Sequence, residues 1–348
     1  MSVKSWPLPL WVKPHAGNPA VLSTRIRLAR NLKGYKFPLT ADSVEKEKLV
    51  GAVGGFLEKQ PGMTFLRLQR EDALRRGVLA ERGLIHMDSA SKPDDIGLGL
   101  AQGQSLSYLL NEEDHVRIQV MKPGLDLEGG LRLARVLDEK LGKAFPFARH
   151  AQFGYLTACP TNVGTGLRAS AMLHLPALAL TRGIVQVLQA VVHMGLAVRG
   201  FYGEGTELKT VFFQISNQIT LGRTEEEIIT QLSGVIRQVV ERETEARQKL
   251  LKSERRLLED KVGRAVGILR HCRLLGLEEA LDLLSSLRLG VETRLLRSLS
   301  PAALNELLLQ VQPAHLQQGG EKTLSAEEQQ SRRASLIRKR LKLDAGRG

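Results

Sequence analysis

The segment NEEDHVRIQVM, residues 111–121, joins a run of acidic residues to a pattern typical of a β-strand. Val116, Ile118 and Val120 alternate with polar positions, one of which is Arg117. This alternation predicts a half-buried strand, because successive side chains of a strand point to opposite faces. The segment therefore places an acidic turn at the start of a strand and Arg117 on the polar face of that strand.

Other runs with β-propensity lie on both sides of this strand. Few helical segments separate them, whereas a parallel sheet needs a crossover helix between its strands. We therefore predict an α+β fold in which an antiparallel sheet is flanked by helices. The runs are FLRLQ at 65–69, LSYLLN at 106–111, FGYLTACP at 153–160 and TVFFQISNQITLG at 210–222.

Helical periodicity marks two long segments beside the strands. Residues 127–142 predict a helix that ends at Gly142. Thr224 and Glu227 have the spacing of a capping box and precede a long apolar stripe, which predicts a second helix.

From about residue 255 onward the β pattern stops. Helices are predicted at 277–290 and 300–313, followed by a polar linker at 316–330. We therefore predict a mixed domain over 1–255 and an all-helical domain with a basic tail over 256–348.

The composition is that of a folded globular protein. The chain has 348 residues, of which 43% are hydrophobic and 25% charged. No stretch approaches the roughly 18 apolar residues of a membrane-spanning helix, and the first residues lack the apolar core of a secretory signal. Two cysteines cannot form a disulfide framework and favour a reducing compartment. We therefore expect a cytoplasmic protein that does not contact membranes.

The formal charge of +13 predicts an anionic partner such as a nucleotide, a nucleic acid, a membrane surface or an acidic protein. Residues 140–203 contain no acidic residue but several cationic ones. That run fits either a buried sheet region or a cationic pocket for a polyanion. The basic run at 332–342 fits a solvated terminal helix or a contact with an anionic partner. It lacks aromatic residues for base stacking, so direct binding of single-stranded nucleic acid is not expected.

One glycine pattern resembles a dinucleotide fingerprint but lacks its context. Gly164, Gly166 and Ala169 spell G-x-G-x-x-A after a predicted strand. No acidic residue follows at the distance of about 20 residues needed to bind a ribose. The sequence also has no Walker lysine loop and no protein-kinase signature set.

Four segments carry the remaining chemistry. Arginine pairs with phosphate oxygens in bidentate geometry and keeps its charge, so arginines that converge from separate segments would clamp a triphosphate. Acidic residues beside such a clamp would have a different task. The segments are STRIRLARN at 23–31, NEEDHVR at 111–117, CPTNVGTGLRAS at 159–170 and RGFYGEGTE at 199–207.

These segments resemble, in order and spacing, the signature segments of the guanidino phosphotransferases, the family of creatine and arginine kinases. The sequence is most similar to the bacterial branch that phosphorylates arginine in proteins. The resemblance covers about residues 20–250 strongly and the helical tail more weakly. It implies an antiparallel sheet flanked by helices, ATP as donor, Mg²⁺ as cofactor and a guanidinium nitrogen as acceptor.

Matching the motifs residue by residue implies roles for individual positions. Glu113 matches the catalytic carboxylate, Glu204 the second carboxylate at the substrate, and Cys159 the cysteine beside the guanidinium. His115 and Arg30 are expected to be structural. The implied nucleotide-binding residues are Ser23, Thr24, Arg25, Ile26, Arg27, Arg117, Arg168, Ala169, Ser170, Ala171, Met172, Arg199, Gly200, Phe201, Tyr202, Gly203 and Glu204.

The chemistry of the acceptor agrees with these roles. A guanidinium group has a pKa above 12 and is therefore a poor nucleophile. Two carboxylates can hold its plane by bidentate hydrogen bonds, and one can accept its proton as the N–P bond forms. General base catalysis of this kind contributes about 10²–10⁴-fold.

The position of the first clamp motif bears on the substrate. It begins at Ser23, which leaves no room before it for the helical lobe that encloses small guanidino substrates elsewhere in the family. We therefore expect an acceptor site that admits arginine on a protein. The resemblance further implies a role in stress response and protein quality control. Expected partners are an activator protein, a heat-shock repressor and the Clp unfoldase system, and the chain could form a homodimer.

Two positions depart from the resemblance. Gly83 stands where related sequences usually have histidine, and His86 follows three residues later. In QQSRRA at 329–334, Gln329 and Gln330 replace an Arg-Asp pair that belongs to a phosphoarginine-binding motif in relatives.

Two alternatives to a protein arginine kinase remain open from the sequence. One is a kinase for a free guanidino compound, and the other is a catalytically weak regulatory adaptor.

Overall fold

A computed structural model describes residues 6–13, 15, 17–200, 211–318, 320 and 323–342. In these residues the strands are β1 Val21–Arg30, β2 Met63–Arg67, β3 Gly97–Ala101, β4 Leu106–Leu110, β5 Val116–Pro123, β6 Arg149–His150, β7 Gly154–Tyr155, β8 Leu167–His174, β9 Leu196–Gly200 and β10 Phe212–Asn217. The α-helices are α1 Ser43–Glu58, α2 Ala73–Glu81, α3 Met87–Ser91, α4 Leu127–Ala144, α5 Pro176–Leu180, α6 Ile184–His193, α7 Glu225–Ser253, α8 Arg255–His271, α9 Leu277–Glu292, α10 Pro301–Gln310, α11 Pro313–Gln317 and α12 Ala326–Leu341. No helix in this part of the chain is long and apolar enough to cross a bilayer.

The central element is an eight-stranded sheet with the strand order β2-β3-β4-β5-β1-β8-β10-β9. Every neighbouring pair in it is antiparallel. Strands β6 and β7 form a separate two-stranded ribbon. The predicted fold class, an antiparallel sheet flanked by helices, is confirmed.

The two faces of the sheet have different surroundings. On one face Ile26, Ile118 and Ala169 are fully buried in the main hydrophobic core, where α4 packs on β1 and β5 and α7 packs on β8. On the other face a smaller core that includes Leu79 of α2 and Leu98 of β3 covers the β3–β4 end. The remainder of that second face carries the polar positions of β1, β5 and β8.

Two predicted strands are shorter in the structure than in the sequence pattern. Of residues 153–160 only Gly154 and Tyr155 form a strand, because Pro160 begins a short 3-10 turn and cannot donate to a ladder. Of residues 210–222 only Phe212–Asn217 pair in the described part of the sheet.

The helix boundaries follow the capping chemistry in one case and depart from it in another. Thr224 Oγ1 accepts from Glu227 N at 3.2 Å and Glu227 Oε2 accepts from Thr224 N at 2.8 Å, which confirms the capping box of α7. Helix α4 continues past Gly142 to Ala144, so the predicted glycine cap is wrong. Gly142 instead lies where a Cβ would come within 3.0 Å of the Phe147 ring.

The C-terminal helices pack around a core of their own. The division after residue 255 that the sequence suggests falls at the start of α8, whose first residue is Arg255, directly after α7 ends at Ser253, and it stays a prediction. The predicted linker at 316–330 is shorter than expected, because Ser325 caps α12 and the helix begins at Ala326.

The basic terminal helix is not simply a solvated helix. Ala334, Ile337 and Leu341 are buried in the core of the helical domain. Arg333, which the altered QQSRRA segment retains, is also buried and donates to the carbonyl oxygens of Val311 and Leu275.

Candidate active site

Arginines of several strands share the second face of the sheet. Arg27 of β1 lies directly opposite Arg168 of β8, and Arg117 of β5 lies opposite Ala29 of β1. Residues that are paired across strands lie on the same face, as do residues two apart within a strand. Arg25, Arg27, Arg117 and Arg168 therefore face one side, and for Arg117 the alternation in the sequence predicts this.

The pKa values of two arginines reflect this convergence. Burial, followed by repulsion from Arg117, Arg168 and Arg199, lowers the pKa of Arg25 to about 10. Burial and the charges of Arg25, Arg117 and Arg168 likewise lower the pKa of Arg27 well below its ordinary value. Arg199 is therefore near Arg25, although its side chain is exposed on the edge strand β9.

Some donors of the cluster have partners in the protein, and Arg27 has a buried one without a partner among the described residues. Arg25 Nη2 donates to Gln214 Oε1 at 3.1 Å, and Arg117 Nη1 donates to Glu112 Oε2 at 2.9 Å. Arg27 Nε is buried and has no hydrogen-bond partner among the described residues. Such a concentration of buried cations fits a polyanion, since charge-assisted hydrogen bonds to phosphate oxygens would satisfy these groups.

The acidic turn borders this cluster. Glu113 is exposed and lines a cleft of about 430 Å³ together with Arg27, Arg117 and Arg168. A carboxylate that can accept a proton therefore lies on the same cleft as cations that can hold a phosphoryl group. Glu112, its neighbour, serves the cluster differently, because it is the ion-pair partner of Arg117.

Buried hydrogen bonds hold the turn. Asp114 Oδ1 accepts from Asn31 Nδ2 at 2.6 Å and from the Ala158 amide at 2.7 Å. The Leu32 amide donates to His115 Nδ1 at 3.0 Å, and His115 Nε2 hydrogen-bonds Lys36 O at 2.8 Å. His115 thus has the structural contacts expected of it.

Cys159 lies next to the segment that Asp114 holds. Its Sγ is 2.9 Å from Thr161 Oγ1, and Asn162 of the same segment lines the cleft of Glu113. Asp114 therefore ties the segment that carries Cys159 to the turn that carries Glu113. The sequence pattern alone did not single out Asp114 for this task.

A second cavity, of about 950 Å³, adjoins the arginine cluster at Arg25. Ser23, Met172 and Gln214 also line it. Gln214 was not among the predicted residues. The position of Gln214 on the polar face of β10 is the sequence feature from which its place in the site could have been predicted.

Some predicted nucleotide-binding residues do not face either cavity. Thr24 donates to Gly124 O at 2.6 Å, and Ile26, Ala169 and Ala171 are buried in the main core on the opposite face. Strand β8 is also paired on both sides, so its backbone groups are engaged in the sheet. The side chains of alternate positions, rather than a continuous backbone segment, therefore face the clefts.

Other predicted positions have different outcomes. Gly200 ends β9, whereas Phe201, Tyr202, Gly203 and Glu204 lie outside the described residues. Gly83 lines the larger cavity. His86 is the exposed N-cap residue of α3 and lines neither cavity, and whether it replaces the histidine absent at 83 stays open.

Arg30 is structural, as expected. It is fully buried and forms a bidentate ion pair with Asp138, at 2.8 and 2.9 Å. Its guanidinium also lies 3.6 Å from the centre of the Tyr155 ring.

Comparison with known proteins agrees with this geometry. Residues 45–246 match the family model described as "ATP:guanido phosphotransferase, C-terminal catalytic domain". The chain belongs to the ATP:guanido phosphotransferase family. Residues 255–347 of this guanido phosphotransferase match a second model, "Protein-arginine kinase McsB C-terminal domain".

Individual relatives extend the match over most of the chain. A protein-arginine kinase of Moorella thermoacetica is 46% identical over 329 residues, which are 92% of this chain and 93% of the relative. A protein-arginine kinase of Bacillus subtilis is 42% identical over 93% of this chain and 90% of its own length. A solved structure of lombricine kinase superposes with a TM-score of 0.57 at 25% identity and covers 69% of this chain and 72% of that protein.

Family membership makes this chain a phosphotransferase that uses ATP with Mg²⁺. The described residues contain no group of three or more His, Cys, Asp or Glu side chains arranged to hold a metal ion. Nucleotide-bound Mg²⁺ is usually held through phosphates and water together with one or two carboxylates.

Proposed function

We propose that this guanido phosphotransferase transfers the γ-phosphoryl group of ATP to the guanidinium group of arginine side chains in proteins. The observation that carries the proposal is the cleft shared by Glu113 with Arg27, Arg117 and Arg168. The name of the relatives, protein-arginine kinase, supports a protein acceptor over a free guanidino compound.

In the proposed reaction the arginine cluster binds the triphosphate and neutralises its charge. The substrate guanidinium enters beside Glu113, which holds its plane and accepts one proton at the carboxylate. The N–P bond forms as the bond between the γ-phosphorus and the β–γ bridging oxygen breaks, and ADP leaves. Mg²⁺ bound with ATP supplies further neutralisation of the transferred group. No covalent enzyme intermediate is needed.

The proposal includes two further residues at the acceptor. Glu204 would be the second carboxylate that orients the guanidinium, on the strength of its motif. Cys159 would lie beside the guanidinium, and its contact with Thr161 supports a polar role for the thiol.

The proposed cellular role follows from the resemblance to bacterial protein-arginine kinases. It is a cytoplasmic role in stress response and protein quality control, with an activator protein, a heat-shock repressor and the Clp unfoldase system as partners. Cys159 and Cys272 are not disulfide-bonded, which is consistent with a reducing compartment. We also propose a homodimer. Light scattering tests this point, and a monomer at micromolar concentration would contradict it.

Mass spectrometry tests the proposed activity. The purified chain is incubated with ATP, Mg²⁺ and either a basic protein with exposed arginines or free L-arginine. Acid-labile phosphate on protein arginine supports the proposal, and its absence with Glu113→Gln assigns the role of the carboxylate. Faster phosphorylation of free arginine would favour a kinase for a small guanidino compound. Modification of neither acceptor, with ATP bound, would favour a regulatory adaptor.

A further inference from the structure

We infer that the C-terminal helical domain forms one wall of the nucleoside pocket and contributes to ATP binding. The inference rests on the proposed use of ATP at this site. It assigns a nucleotide-binding task to residues outside the matched catalytic segment 45–246. Asn305, Leu308 and Leu309 of α10 line the 950 Å³ cavity, as do Ser23 and Arg25 of β1.

The two cavities define the direction of the bound nucleotide. Glu113, which would meet the transferred phosphoryl group, lines the smaller cleft with Arg27 and Arg168. Arg25 lies two residues from Arg27 on the same face and lines the larger cavity instead. A triphosphate that runs along these arginines with its γ end at Glu113 therefore directs its nucleoside end into the larger cavity.

The lining of the larger cavity suits a purine base. Met121, Leu308 and Leu309 supply apolar surface, and the Trp11 ring borders the same space. Flat aromatic ligands pack well in such mainly apolar sites that contain a few polar groups. Trp11 Nε1 is buried and has no hydrogen-bond partner among the described residues.

Asn305 is the polar group that α10 adds to this lining. Arg288 Nη1 donates to Asn305 Oδ1, and a guanidinium can only donate, so the orientation of the amide is set. The Nδ2 group, a donor, is then the end of Asn305 that remains for acceptor nitrogens or oxygens of a base.

Buried polar contacts hold the helical domain against the catalytic domain on one side of the cavity. Glu81 at the end of α2 accepts from the Ala314 amide at 2.6 Å and from His315 Nδ1 at 2.6 Å. Arg82 Nε donates to His315 Nε2 at 3.2 Å, and the Arg82 side chain is almost fully buried. Glu81 and Arg82 also line the cavity.

A second anchor lies between the N-terminal part of the chain and α9. Arg288 Nη2 donates to Pro19 O at 2.7 Å, and an ion pair within α9, from Arg288 Nε to Glu292 at 2.8 Å, holds the guanidinium in place. Breaking buried charged contacts of this kind is costly. The helical domain is therefore held in place as a wall of the site rather than attached as a separate module.

Binding of ATP and of inorganic tripolyphosphate to the full chain tests the inference by calorimetry. Tripolyphosphate reaches only the arginine cluster, whereas ATP also fills the larger cavity. Leu309→Ala removes apolar wall and should weaken ATP binding about tenfold, with tripolyphosphate binding unchanged. Leu307→Ala is the matched control, because Leu307 of the same helix is buried in the core of the helical domain. It should alter neither affinity.

The fluorescence of Trp11 provides a second readout that does not depend on a cavity-creating variant. The chain contains two tryptophans, and Trp6→Phe leaves Trp11 as the emitting one. ATP should change its emission and tripolyphosphate should not.

The outcomes separate the inference from the proposed function. Unchanged ATP affinity in Leu309→Ala, equal losses for ATP and tripolyphosphate, or an unresponsive Trp11 would each overturn the inference. Arginine phosphorylation could still proceed in those cases. If the binding results are as expected but arginine is not phosphorylated, the proposed function is wrong. The inference that the helical domain forms a wall of the nucleoside pocket is then still supported.

Discussion

Arg27 of β1 and Arg168 of β8 are direct cross-strand neighbours on the same face of the sheet. Like charges at directly opposed positions destabilise a sheet. Here the repulsion occurs next to Arg25 and Arg117, whose charges also lower the pKa of Arg27. The unliganded site therefore carries a cost in stability that a bound polyanion would relieve.

Removing one of the two charges should stabilise the protein without nucleotide. We expect Arg27→Gln to raise the free energy of unfolding by about 0.5–1 kcal/mol. We also expect it to weaken ATP binding by about 1.5–3 kcal/mol, the contribution of a hydrogen bond to a charged group. Thermal unfolding with and without ATP measures both. Arg242→Gln on the exposed surface of α7 is the control, and lower stability of Arg27→Gln without ATP would contradict the argument.

The two adjacent glutamates should separate catalysis from nucleotide binding. Glu113→Gln should slow phosphoryl transfer by about 10²–10⁴-fold and leave ATP affinity close to that of the wild type, because only the proton acceptor is lost. Glu112→Gln should instead alter ATP affinity, since it removes the ion pair that holds Arg117. Single-turnover assays and calorimetry distinguish these effects. Full activity of Glu113→Gln would rule out its assigned role.

The Cys159 thiol should assist the reaction without being essential. Cys159→Ser keeps a hydroxyl near Thr161 Oγ1 but changes the polarity and size of the group that we propose to lie beside the substrate. The rate of arginine phosphorylation should fall and remain measurable, because Glu113 is retained. Cys272→Ser, in the helical domain, should behave as wild type. An unchanged rate for Cys159→Ser would remove Cys159 from the acceptor site.

Acid should destabilise the protein through His174. This side chain is fully buried, its Nε2 lies 2.7 Å from Ser285 Oγ, and its Nδ1 is 3.8 Å from Glu292. Burial lowers its pKa from 6.5 to about 4, with Glu292 acting in the opposite direction and Arg288 and Arg247 adding to the decrease. Between pH 6.5 and about 4, His174 is therefore protonated in the unfolded chain and neutral in the folded chain.

The sign of the pH effect on stability follows from this difference in the protonation of His174. The stability that neutral His174 contributes is present above pH 6.5 and is lost as the pH falls toward 4, by roughly 3 kcal/mol in total. Chemical unfolding at several pH values measures the loss, and His174→Gln should have a shallower pH dependence. Identical slopes for the two proteins would show that other groups cause the acid sensitivity.

The buried ion pair of Arg30 with Asp138 should matter for folding rather than for catalysis. Asp138→Ala leaves a buried guanidinium without its carboxylate and should lower the free energy of unfolding by about 3–5 kcal/mol. Urea unfolding measures this loss. The double variant Arg30→Met/Asp138→Leu should recover part of it, and a double variant no more stable than Asp138→Ala would count against the charge-burial argument.

Local sequence patterns predicted the strands and helices that have strong hydrophobic periodicity. They did not predict the ends of elements that depend on contacts with residues elsewhere in the chain. The alternation around Arg117 and the capping box at Thr224 were sufficient to place β5 and α7. Helix α4 continues past Gly142 to Ala144, and Gly142 lies inside it close to the Phe147 ring, a contact that a local pattern does not reveal. Asp114 acts through the Ala158 amide, 44 residues away in the chain, so its position next to Glu113 gave no local sign of this task.

The amino-acid sequence alone determined that Arg117 lies on the polar face of a strand and that an acidic turn precedes this strand. These properties follow from a period of two along a single strand. The tertiary structure decided that β1 lies between β5 and β8, which brings Arg117 and Arg168 to Arg27. It also decided that residues of α10 line the same cavity as Arg25. Strand order and the docking of helices depend on contacts between residues far apart in the chain, and no local pattern specifies those contacts.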